Sequence, residues 1–290
     1  MTASLLPDDA WSALGHWALE PVTIAALLAV GSAYGAGVIR IHRLGRGFPR
    51  WRVAAFAAGW LVLGLSLLSP IDAYADVSFT IHMLQHLLLT IVAPPLLAIG
   101  APITLALRTL SLGGASSVTA ALGSPLARVL GNPVVGWLLF VGVPIAVHAS
   151  RVFDLALTSS WWHALEHAAW IGAALVYWWP IVCADPTPHP MSYGARLLSL
   201  LLAMPAMSFL ALAIYSANTP LYATYAALPA PWGPSALADQ RNAAALMWVA
   251  GNLALVVAIL LVAASWKRHE DEAQRRLEAR EDALASSAAH

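Results

Sequence analysis

The sequence predicts an all-α fold: a polytopic bundle of seven transmembrane helices, with the N-terminus outside and the C-terminus cytoplasmic. Three observations predict it. Of 290 residues 60% are hydrophobic and only 10% charged, with a mean hydropathy of +0.71, which is far from the composition of a soluble domain. The apolar residues gather in stretches of about 20, the length that crosses a bilayer as helix. The basic residues are segregated: once Arg40, Arg43, Arg46, Arg50 and Arg52 are placed in the cytoplasm, every other Lys and Arg except Arg151 and Arg241 falls on that side too, as the positive-inside rule requires.

The elements follow in order. Residues 1–16 form a short outer segment with Asp8, Asp9 and Trp11. No basic residue precedes Arg40, so the basic n-region of a cleaved signal is missing and the first span is expected to be retained. That span covers residues 17–41, with Pro21 in the first turn, where its missing N–H has no helical partner anyway. The arginine-rich loop and a second span over residues 51–70 come next. An acidic turn with Asp72 and Asp76 leads to the third span, TIHMLQHLLLTIVAPP, which Pro94 and Pro95 are expected to kink or end.

Residues 112–131, rich in Gly, Ser and Ala, read as a loop with one short interfacial helix over residues 118–130. Residues 133–150 form span four. Span five, residues 161–183, has tryptophan pairs at both ends, about 25 Å apart at 1.5 Å per residue, which suits two interfacial belts. Span six covers residues 195–217 and span seven residues 239–266, so the transmembrane domain is residues 17–266. Between spans six and seven a long connection carries Tyr222, Tyr225 and several prolines. It reads as a segment packed against the membrane face, and residues 220–234 as a mobile gate. Residues 267–290 are a charged cytoplasmic tail of helical spacing.

Composition also excludes. A net charge of zero argues against nucleic acid. One cysteine, Cys183, rules out an internal disulfide framework or a Cys-x-x-Cys motif; at the inner end of span five it reads as a small buried residue. Two unlike halves give no support to an inverted-repeat transporter.

The chemistry lies in the histidines. His82 and His86 are one turn apart on span three; His163, Glu166 and His167 share a face of span five. The topology brings both pairs, with Asp239 at the start of span seven, to the outer third of the membrane. Polar groups at such depth cost on the order of 2.5–3.5 kcal/mol when ionised. Imidazoles in this pattern suit Cu, Zn, Fe or Ni. Asp239 would ligate or orient an imidazole, and Met247, two turns deeper, offers a soft thioether. His16, just before span one, and His148, alone in span four, read as packing or interfacial residues, and Met204 and Met207 as packing. His163 to His167 also matches H-x-x-E-H, a zinc-peptidase pattern; that reading leaves His82 and His86 unexplained. Two axial haem ligands are a further alternative, against which the one-turn spacing within each pair favours a mononuclear or dinuclear metal site.

Three stretches, HMLQHLLLTIVAPPLLAIGAP, WWHALEHAAWIGAALVYWWPIV and DQRNAAALMW, resemble the membrane cytochrome c oxidase assembly factors of the CtaG type. The resemblance implies a seven-span protein of the bacterial cytoplasmic (inner) membrane that binds copper as its cofactor or cargo. It implies a metallochaperone, not an enzyme, which takes copper from an outer-side donor protein and delivers it to the catalytic subunit of the oxidase, with membrane lipid as its other partner. The matching metal positions are His82, His86, His163, His167, Asp239 and Met247. A membrane transporter of copper or another divalent metal is the alternative function, although the apolar inner halves of spans three and five offer no polar route.

Overall fold

The computed structural model describes residues 15–228 and 233–288. Asp8, Asp9 and Trp11 of the N-terminal segment, Pro229, Pro231 and Trp232 of the long connection, and the last two residues of the tail lie outside the described residues. Everything regular within them is helical. In chain order the helices are α1 (Pro21–Arg43), α2 (Arg50–Leu68), α3 (Pro70–Ala75), α4 (Phe79–Leu87), a π-helical turn (Leu88–Val92), α5 (Ala93–Ile99), α6 (Pro102–Thr109), α7 (Leu112–Leu122), α8 (Pro125–Leu130), α9 (Pro133–His148), α10 (Val152–Thr158), α11 (Ser160–Val182), α12 (Tyr193–Tyr215), α13 (Ala223–Ala226) and α14 (Ala236–Ala288).

Among the described residues five stretches are long and apolar enough to cross a membrane: Pro21–Arg43, Arg50–Leu68, Phe79–Thr109, Tyr193–Tyr215 and Ala236–Glu281. The pair α9 and α10, bent by 73°, makes a sixth if it is one span. The expected seventh is α11. It has the length, 23 residues, but His163, Glu166, His167 and its tryptophans lower its hydropathy. The residues that make α11 chemically interesting are those that weaken its membrane signal.

The turns differ from the sequence expectation in ways that prolines and caps explain. The acidic turn is a helix, α3, capped by the Ser69 hydroxyl accepting from Ile71 N and opened by Pro70. Residues 112–130 form two helices instead of one, because Ser111 caps α7 and Ser124, followed by Pro125, caps a new start at α8. Pro94 and Pro95 do not end the third span. The chain widens into the π turn just before them and continues as α5 to Gly100, breaking where Ala101 takes a left-handed φ of 49°. Asp185 then caps α6, accepting from Ile103 N (3.1 Å) and Thr104 N (2.6 Å).

Prolines orphan carbonyls four residues earlier, and buried side chains fill them. Pro94 leaves the Thr90 carbonyl without its helical donor, and Trp178 Nε1 donates to it at 2.8 Å. The end of α2 at Leu68 leaves the Ser66 carbonyl open in the same way, and Gln85 Nε2 donates to it at 2.8 Å. These bonds tie the third span to α11 and α2. Close backbone contact supports the second of these junctions: a Cβ on Gly59 would sit 2.9 Å from the Ala93 carbonyl oxygen. The core falls into three clusters, one of which, around Phe79, Phe153, Tyr222, Tyr225 and Met247, packs beside the histidines.

Candidate metal centre

His82 and His86 sit on α4, and the start of that helix is held by the chain's own capping groups. The break between α3 and α4 leaves the Ala75 carbonyl and the first N–H groups of α4 without helical partners. Asp239, at the start of α14, accepts from Phe79 N at 2.7 Å and from Thr80 N at 3.2 Å, and also binds the Ser78 and Thr80 hydroxyls. Its carboxylate is therefore committed to capping α4, and the structure does not bring it among the histidine rings. It fixes the helix that bears two of them. Replacing Asp239 by Ala is expected to destabilise the protein by about 2 kcal/mol or more, adding a lost cap to donors left unsatisfied. Thermal unfolding of the purified protein measures this; Asp239→Asn, which keeps one acceptor oxygen, should lose less.

The four histidines expected from sequence do meet. The His82 and His86 ring centroids are 4.3 Å apart and those of His163 and His167 4.2 Å. Across the helices His82 lies 6.0 Å from His163, and His86 6.0 Å from His167. Two carboxylates divide them into triads. His82, His86 and Glu166 can each offer a ligand atom within 4.8 Å of the others, and so can Asp72, His163 and His167. Glu166 is reached through His86, with Oε1 3.7 Å from Nε2.

The hydrogen-bond inventory singles out this cluster. Nε2 of His82, His86, His148, His163 and His167, Nδ1 of His86 and both carboxylate oxygens of Glu166 are buried with no hydrogen-bond partner among the described residues. Buried polar atoms are almost always paired, so such a concentration marks a place built for something else to bind. Among the described residues the cluster is least covered on the α3 side, where His163 and Asp72 are half-buried while His82, His86 and Glu166 are buried. Burial, together with Asp76 and Glu20, pushes the Asp72 carboxyl up to about 7 against the opposing hydrogen bond from Gln85.

Sequence reading missed three contributors. Asp72, which the sequence sets in the acidic outer turn and not among the ligands, is drawn onto the cluster by its bond to Gln85 Nε2, 2.6 Å. His148, taken as packing, ends α9 with its ring 6.5 Å from that of His86 and its Nδ1 3.0 Å from the Tyr222 hydroxyl. Tyr225 holds His82. Its hydroxyl donates to the Ala75 carbonyl at 2.5 Å, which uses its one proton, so at 3.1 Å from His82 Nδ1 it accepts. His82 is thus protonated at Nδ1 and turns a lone pair on Nε2 toward the cluster, as a ligating imidazole held by an outer partner does.

Two further expectations are corrected. Tyr222 and Tyr225 are buried within the bundle and not laid on the membrane face. The first half of the supposed gate is likewise tied down: Thr224 bonds Asp154 through N (3.1 Å) and Oγ1 (2.9 Å), and Leu221 N donates to Gln240 Oε1 at 2.7 Å. Met247 is buried one layer deeper, where with Met83, Met207, Trp170 and His86 it lines a cavity of about 20 Å³, room for about one water.

A family model for the cytochrome c oxidase caa3 assembly factor matches residues 32–269. Uncharacterized proteins of Mycobacterium leprae, Mycobacterium bovis and Mycobacterium tuberculosis are each 30% identical over 279 residues, covering 93% of this chain. The chain spans 42% of the length of these relatives. No solved structure matches it.

Proposed function

The chain belongs to the family of cytochrome c oxidase caa3 assembly factors, and from that membership we propose that it is a copper-delivering assembly factor. In this reading it receives copper from an outer-side donor and hands it to the histidine-lined copper site of the oxidase catalytic subunit. The observation that carries the reading is the cluster of buried, unpartnered imidazole nitrogens and the Glu166 carboxylate. The donor set is nitrogen and oxygen, which suits copper among the first-row metals.

The two triads describe a path for the cargo. Asp72 and His163, half-buried, meet the ion first together with His167. His82, His86 and Glu166, fully buried, hold it next. With cross-helix ring separations of 6.0 Å, ligands can be exchanged one at a time between the two positions. Such stepwise exchange lets a carrier release what it binds; a closed thiolate cage does not.

The same proposal places the cluster on the outer side. The Ser66 end of α2 reaches the cluster through Gln85, so its arginine-bearing start at Arg50 lies at the opposite, cytoplasmic end. With α11 crossing as a seventh span, the N-terminus is outside and the tail inside the bacterial cytoplasmic membrane. Transport across the bilayer would need a polar path onward, yet below His86 the walls are Leu87, Ile91 and Leu255, and the Thr90 hydroxyl beside them is turned back to the His86 carbonyl at 2.6 Å. Peptide hydrolysis would need Glu166 to serve a water on the His163 and His167 ion, and it faces His86 instead. We therefore read the protein as a carrier, not an enzyme.

Metal analysis and X-ray absorption of the purified protein after copper loading test the proposal. One or two copper ions per chain in a nitrogen- and oxygen-dominated shell are expected. No retained copper, or a sulfur-dominated shell, would overturn it.

A further inference from the structure

At the opposite end of the bundle from the histidines lies a cavity of about 860 Å³, which the copper reading does not use. On three elements it begins beyond the histidine level: at Ile91 where His82 and His86 precede, at Trp178 on α11, and from Ala250 along α14. Its walls are apolar, with Ile99, Leu253 and Leu261 among them, and no carboxylate lines it. Leu253 and Leu261 are 63% and 62% exposed, so the apolar wall is continuous with the lipid-facing surface of α14.

Three arginines from three helices, Arg52, Arg196 and Arg268, line the same cavity. None has a carboxylate within 4.0 Å among the described residues. Arg52 Nε is buried without a hydrogen-bond partner, and its Nη1 makes only a long 3.5 Å contact to the Ala184 carbonyl. Arg196 donates through Nε to the Met191 carbonyl at 3.1 Å and lies over the Tyr193 ring. Arg52 also lies over the Trp51 ring, 5.3 Å from its centroid, but a buried guanidinium nitrogen with neither a hydrogen-bond partner nor a carboxylate within 4.0 Å is costly, and an anion attached to apolar chains would suit both the arginines and the wall.

We propose that this cavity binds one anionic phospholipid, its phosphate held by Arg52, Arg196 and Arg268 and an acyl chain laid along α14. Guanidinium pairs with phosphate through two parallel N–H donors, and basic pockets between helices are where anionic headgroups settle. A free phosphate would satisfy the arginines but leave the apolar wall empty, so the lipid is the better match for the whole cavity.

The full chain purified in mild detergent is exchanged against phosphatidylglycerol or phosphatidylcholine, and retained lipid is counted by native mass spectrometry. About one phosphatidylglycerol per chain is expected, retained at least tenfold better than phosphatidylcholine and not displaced by millimolar inorganic phosphate. Arg52→Gln combined with Arg268→Gln should cut retention at least tenfold. Val257→Trp, which fills the apolar wall from a half-exposed position and leaves the arginines intact, should do the same. Equal retention of the two lipids, displacement by phosphate alone, co-purification of a neutral isoprenoid or haem instead, or wild-type retention in Val257→Trp would overturn the proposal. Copper stoichiometry, read on the same samples, is expected to be unchanged in every variant, so failure of this site is distinguishable from failure of the metal centre.

Discussion

His86→Ala is expected to lower copper affinity by more than about 100-fold, since removing even an outer partner of a metal ligand typically costs about 10–100-fold. The residue occupies the centre of the cluster. Its ring is 4.3 Å from His82, 6.0 Å from His167, 6.5 Å from His148 and 4.0 Å from the face of Trp170, and neither of its nitrogens is hydrogen-bonded. Its loss also takes away the ring nitrogen that Glu166 Oε1 faces at 3.7 Å. Copper binding to the folded state should raise thermal stability by mass action, about 2.7 kcal/mol at a hundredfold excess over Kd. The purified wild-type protein should thus melt at a copper-dependent temperature, and the variant should not. His189, bonded to the Arg128 carbonyl at 3.1 Å at the other end of the bundle, supplies the control: His189→Ala should bind copper as the wild type does. Undiminished copper in His86→Ala would remove the centre from the cluster.

The fold was legible where residues act through periodicity and less so where they act through partners. Apolar runs placed α1, α2, α9, α11 and α12 within a few residues of where they lie, because burial and hydropathy repeat along the chain. They did not reveal that Pro94 and Pro95 are spanned instead of ending a helix, since that depends on Trp178 donating to the Thr90 carbonyl, 88 positions earlier. The candidate site shows the same division. The i, i+4 pairs are visible as spacing, and topology alone brings them to one level. Asp72, His148 and Tyr225 carry no local pattern; what recruits them is Gln85, the end of α9 and the break before α4. Asp239 was found for a sound reason, a carboxylate at the right depth, yet a helix start with unfilled N–H groups competes for it and wins with four donors.

Tyr225→Phe is the change that separates holding a ligand from being one. Phenylalanine keeps the ring stacked on Phe79, 5.4 Å away at 27°, and in contact with Phe153, so the packing survives. What disappears is one hydroxyl that donates to Ala75 and accepts from His82. The buried Ala75 carbonyl and His82 Nδ1–H are then both unsatisfied, a cost of about 1–3 kcal/mol for each stranded group, seen as a lower melting temperature. The more telling effect is on His82 itself. Without an acceptor at Nδ1 nothing fixes the tautomer, and a proton on Nε2 blocks the lone pair that faces Glu166 and His86. Copper affinity of the folded protein should fall about 10–100-fold, the range for losing an outer partner of a ligating imidazole. Nitrogen-15 spectra of the labelled ring should move from a single Nδ1–H form to a mixture. If Tyr225 served packing alone, stability would drop while affinity and the ring spectrum stayed as in the wild type, and the assignment of His82 Nε2 as a ligand would lose its support.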